Sequence, residues 1–161
     1  MKLFIFLALL LSVSNYSFAH DSLAKVDVLG EDQILLRPQA GVGMLDDDKS
    51  YHAGLRLLFK ASDDKKYGME LTRLFNSKAE YIVAGVILEK KIGWFNMSIG
   101  SVGYFGQSSG TKNYPGFITN LGWEPDTNNK LKPFVTLRQE VIFADKTLPG
   151  IAISAGLSLI Y

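Results

Sequence analysis

Cysteine is absent from the 161-residue chain, which removes thiol nucleophiles, thiolate metal ligands and disulfides in one step. Two histidines remain, His20 and His52. His52 is the candidate catalytic residue, because an imidazole can serve as a general base near neutral pH. A base needs a nucleophile and an orienting acid, and His52 is followed only by Ala53 and Gly54. Ser77 and one of Asp46, Asp47 and Asp48 could be assembled with it into a triad, but no spacing ties them together. A second group is charged: Arg37, Arg56, Glu70, Arg138 and Glu140 occur at positions that alternate with apolar residues. They could seat a ligand or an ion, or form an internal ion-pair network, and buried charges require such partners. The network is the simpler reading. Asp46-Asp47-Asp48 offers oxygen ligands for a divalent cation. It lacks the glycine and distal glutamate of a calcium loop, so a solvated turn and no metal site are expected. The glycines of 103–110 and the Gly41-Val42-Gly43 stretch lack phosphate-loop spacing, and no cofactor is expected.

The elements that must hold these residues are read most clearly at the end of the chain. In residues 151–161, Ile151, Ile153, Ala155, Leu157 and Leu159 alternate with Ala152, Ser154, Gly156 and Ser158. A strand sends successive side chains to opposite faces, so one face is oily and the other small and mostly polar. A small soluble barrel needs the oily face inside. A transmembrane β-barrel needs it outside, against lipid, with a polar lumen.

The same alternation begins at Ile34, where Leu36, Pro38, Ala40, Val42 and Met44 oppose Leu35, Arg37, Gln39, Gly41 and Gly43. Residues 51–59 place Tyr51, Ala53, Leu55, Leu57 and Phe59 against inward His52, Gly54, Arg56 and Leu58. Residues 67–75 place Glu70 and Thr72 inside and send Arg73 outside, where it is tolerable only near the interface. The apolar run 80–89 has no assignable faces. Residues 94–105 alternate, with a bulge at 100–103 able to shift their register. Residues 117–124 and 133–143 follow, the latter with Arg138 and Glu140 inward. With residues 151–161 this makes eight strands, separated by turn-rich stretches such as 45–50, 106–115 and 125–130. Aromatics cluster near strand ends, as interfacial girdles require.

The N-terminus has a basic start, an apolar run too short for a membrane helix, and the small-x-small sequence Ser17-Phe18-Ala19. Residues 1–19 are therefore expected to be a cleaved secretion signal, 20–33 a periplasmic lead-in, and 34–161 one barrel domain. Once Lys2 leaves with the signal, acidic and basic residues are equal in number, which gives no electrostatic case for nucleic acid. Roughly 140 residues suffice for eight strands of about 10 residues each and not for sixteen.

This pattern, with its terminal aromatic Tyr161, resembles small eight-stranded bacterial outer-membrane β-barrel proteins of the outer-membrane-protein A and X type. The resemblance covers 20–161 and is strongest over 132–161. It implies an all-β, antiparallel, up-and-down transmembrane barrel, porin-like in wall but too narrow for a wide pore. It implies a monomer in the outer membrane of a Gram-negative cell envelope, in contact with lipid and lipopolysaccharide and delivered by the barrel-insertion machinery. The expected role is non-enzymatic, structural or surface-interacting. One alternative is a lipid A-modifying enzyme, acyl hydrolase or acyltransferase, using His52. The deacylase type carries a His-x-Ser pair that is missing here, and the acyl-transfer type an Asp-Ser where Asn76-Ser77 stands. Another alternative is a periplasmic lipocalin-like lipid carrier, whose apolar faces would point inward.

Overall fold

The computed structural model describes residues 34–125 and 130–161. The expected signal at 1–19 and lead-in at 20–33 lie outside the described residues. Eight strands form a closed antiparallel barrel in which each pairs with its sequence neighbours and the last returns to the first. They are β1 (Ile34–Leu45), β2 (Asp48–Lys60), β3 (Lys65–Asn76), β4 (Glu80–Ile92), β5 (Phe95–Gly106), β6 (Tyr114–Trp123), β7 (Leu131–Phe143) and β8 (Thr147–Ile160). Closure removes the open edges that a sheet would otherwise expose. Strands of 10 to 14 residues meet or exceed the roughly 9–11 needed to cross a bilayer.

Alternation sets what each face carries. Val86, Ile153, Leu71 and Met69 are 62, 59, 57 and 55 % exposed on the outer wall. Leu55, Leu121, Val135, Ile151 and Leu157 are exposed beside them. An apolar belt of this size has no counterpart on a soluble monomer, and it is the wall a bilayer requires. Arg56, Glu70, Arg138 and Glu140, by contrast, are at most 2 % exposed. The polarity is that of a membrane barrel, opposite to the inward apolar face of a lipocalin-like carrier.

Two details differ from the sequence expectation. The turn anticipated at 45–50 shrinks to Asp46-Asp47, since Leu45 already pairs with Asp48. Both aspartates take positive φ, 47° and 68°, as a two-residue hairpin with right-handed strand twist demands, and Asp tolerates that region better than most residues. The bulge considered at 100–103 does not form: pairing runs without interruption from Tyr81–Gly106 to Ile92–Phe95 on one side and from Phe95–Trp123 to Tyr104–Tyr114 on the other. Gly100 and Gly103 instead leave room for Ile118 and for the Phe105 ring, either of which an added Cβ would meet at 2.9 Å.

Strand β4, whose faces were not assignable, buries Tyr81, Val83, Ile87 and Glu89 and turns Val86 and Leu88 outward. Its inward side is apolar for most of its length because it contributes to an oily plug inside the barrel. Leu45, Leu74, Tyr81, Val83, Ile87, Val102, Tyr104, Ile118 and Ile142 form that cluster, with Ala79, Tyr114 and Leu148 packed on it. The plug lies toward the end away from the chain terminus at Tyr161, under the β1–β2, β3–β4, β5–β6 and β7–β8 connections. A strand lined by oil on both sides gives no period-two signal.

Candidate functional site

Below the plug, strands β2, β3 and β7 bring four of the anticipated residues together, because their register aligns them. Arg56 pairs across the ladder with Glu70. The Arg56 Nε donates to Glu70 Oε2 at 2.7 Å. The other Glu70 oxygen accepts from Arg138 and, at 3.1 Å, from the Thr72 hydroxyl. Arg138 Nε donates to Glu140 Oε2 at 3.2 Å, and the Tyr104 hydroxyl donates to the same oxygen at 2.9 Å. The network continues through Arg56 Nη2 to Asn120 Oδ1, 2.8 Å, and from Asn120 Nδ2 to Ser98, 3.0 Å. Gly150 permits this packing: a Cβ there would meet Glu140 Cγ at 2.7 Å.

Arg37 belongs to a second cluster, nearer the terminal end. Its Nη1 donates to both oxygens of Glu89, at 2.9 and 2.7 Å, and its Nη2 to Glu124 Oε2 at 2.6 Å. Nε reaches the Ser158 hydroxyl at 2.8 Å, which itself donates to Glu124 at 2.9 Å. Lys66 joins Glu89 at 3.2 Å, and the guanidinium lies 5.5 Å from the Phe134 ring centroid. Bidentate and charge-assisted bonds of this kind are the strong ones. Glu89, Glu124, Tyr104 and Asn120 are not among the anticipated site residues. Glu124 and Asn120 share a strand phase, which is a usable signal, whereas Glu89 ends the run whose faces were obscured by the plug.

His52 is 4 % exposed. Its Nε2 lies 3.8 Å from Glu140 Oε1, and neither ring nitrogen has a hydrogen-bond partner. Ser77 sits in the β3–β4 connection, Asp46 and Asp47 form the β1–β2 turn, and Asp48 opens β2 and pairs with Lys78; none of them contacts the imidazole among the described hydrogen bonds and ion pairs. Among the described residues no group of three or more His, Asp or Glu is arranged to hold a metal ion.

At the rims the charges are exposed and locally paired. Arg73 lies three residues from the end of β3, on the outer wall, and donates to Glu80 at 2.7 Å while lying 5.9 Å from the Phe75 centroid. A 2.5 Å bond to Asp48 raises the pKa of Lys78 above the usual lysine value. In the β2–β3 turn, a 2.7 Å bond from Ser62 holds Asp64 below the usual carboxylate value, and Lys60 does the same for Asp63.

No protein-family model matches the chain, and no curated sequence does. Solved structures do. The fold is similar to a de novo designed transmembrane β-barrel, with 14% identity and a TM-score of 0.54 over 79% of this chain and 95% of that one. It is equally similar to Neisserial surface protein A, with 12% identity and a TM-score of 0.55 over 81% of this chain and 97% of that one. The fold is that of a small transmembrane β-barrel.

Proposed function

We propose that this protein is a non-enzymatic outer-membrane barrel of a Gram-negative envelope, sealed to ions, that acts through its wall and its loops. One observation carries the reading: the plug and the two charge clusters together block the interior. The oily plug occupies one end, and between the two charge clusters the free space is only about 10 Å³, room for a single water. Such a lumen neither conducts nor admits a lipid chain, which leaves the lipid-facing surface and the connections 107–113 and 144–146 as the parts able to meet partners. The outer-membrane address rests on the fold and the signal-like N-terminus. A surface location is what the name of the Neisserial neighbour says of that protein. Contact with outer-membrane lipid and lipopolysaccharide, delivery by the insertion machinery and a monomeric state accompany the same reading.

Planar-bilayer recording of the refolded protein tests it, with no stable unitary conductance expected; steady ion-selective openings would contradict it. The enzyme alternative is tested by replacing His52 with Ala and comparing lipid A from expressing cells by mass spectrometry. The same lipid A profile is expected from both forms, and an acyl-chain change that disappears with the imidazole would make the protein an enzyme.

A further inference from the structure

Between its aromatic girdles the outer wall is apolar on β1, β2, β4 and β8, and on β3 its one charge, Arg73, has Glu80 as a partner. The sector formed by β5, β6 and β7 differs: its outward residues include Ser101, Thr119 and Gln139. Alternation fixes their direction, since Gln139 lies between buried Arg138 and Glu140, and Thr119 between buried Ile118 and Asn120. Register makes the three contiguous. Gln139 pairs directly with Thr119, while Ser101 pairs with Phe117, the next outward residue to Thr119 on β6, which is within the diagonal reach of cross-strand side chains. Their depth is that of hydrocarbon. Gln139 is two residues from Leu137 at the centre of β7 and four from Phe143 at its girdle end, and Thr119 lies between Phe117 and Trp123. None of the three side chains takes part in a described hydrogen bond.

At that depth a bilayer holds no water to bond an amide, and an unsatisfied polar group in hydrocarbon is costly. The opposed Thr119 offers one hydroxyl to an amide that carries two N–H donors and a carbonyl oxygen, so the sector does not satisfy itself. We propose that it is the contact face for a second copy of this chain, packed wall to wall in the membrane with the two Gln139 amides facing each other. An amide is donor and acceptor at once, so two of them related by a twofold axis complete each other, as an isologous interface requires. Lipid chains carry no such groups. Amides and hydroxyls join membrane helices in the same way. Phe117, Leu121 and Ile153, exposed around the patch, supply apolar contact on either side of the amides. This goes beyond the monomeric state proposed above: the monomer is the form at low density in the bilayer, and the pair is the form at high density.

The test uses the full chain carrying Ser109→Cys in the exposed β5–β6 connection, one portion labelled with a donor dye and another with an acceptor. The two are refolded together into phosphatidylcholine vesicles, and energy transfer is followed as the protein-to-lipid ratio is raised. Saturable transfer above that of randomly placed barrels is expected. Gln139→Leu, which puts an apolar side chain in place of the amide, should weaken pairing by about tenfold, the scale of one polar contact between membrane segments. Met69→Leu on β3, across the barrel from β7, should leave pairing unchanged. Folding of each variant is checked by the shift in gel migration on boiling. Transfer that stays at the random level at every density would overturn the proposal, as would pairing that survives Gln139→Leu intact or falls equally with Met69→Leu.

Discussion

Glu70 receives two guanidiniums, Arg56 at 2.7 Å and Arg138 on its other oxygen, and is 2 % exposed. Neutralising it would leave two buried cations facing an amide. Breaking a buried pair from one side typically costs about 3–5 kcal/mol. Glu70→Gln should therefore lower the unfolding free energy of the vesicle-refolded protein by about that amount, read by denaturant titration; a change under about 1 kcal/mol would mean that the cluster is hydrated. His52 illustrates the reverse case. Its type suggested chemistry, but its ring is buried beside Leu74 of the plug, unbonded and 3.8 Å from Glu140, which is the position of a lumen-filling side chain. Residue type was legible in the sequence, while accessibility depends on what the opposite wall contributes and was not.

At the level of the strand, wall depth decides what a charge costs. Leu71 sits near the middle of β3, between Leu55 and Ala84, whereas Arg73 is one outward step closer to the end and has Glu80 for a partner. Leu71→Arg should destabilise the barrel by about 2–4 kcal/mol in phospholipid vesicles. Arg73→Leu should change it by less than about 1 kcal/mol, in the range of an exposed ion pair. Equal effects at the two sites would mean that depth along β3 is misplaced. Strands whose two faces differ, such as β8 and β2, could be read directly from their alternation. Strand β4 could not, because Val83 and Ile87 face oil inside while Val86 and Leu88 face lipid outside, and period-two contrast vanishes when both surroundings are apolar. The short Asp46-Asp47 turn was concealed for a different reason: Asp48, Lys49 and Ser50 after it look like loop but belong to a ladder that continues to the last pair.

For the whole molecule, closure and polarity followed from strand count and from which alternate residues are oily. The division of the lumen into plug and charge clusters did not, since each layer gathers residues distant in sequence; Arg37 meets Glu89 and Glu124 only after the sheet has curled. Everything proposed for the protein depends on hydrocarbon covering the outer wall. A chain without cysteine permits a direct test by attaching nitroxide labels at Leu71→Cys, Val86→Cys and Ile153→Cys, with Ser109→Cys in the exposed β5–β6 connection as the comparison in water. In phospholipid vesicles the three outward labels should be strongly accessible to oxygen, which concentrates in hydrocarbon, and shielded from a water-soluble nickel chelate. High accessibility to the nickel chelate at those three positions would place them in water and contradict a membrane-spanning barrel.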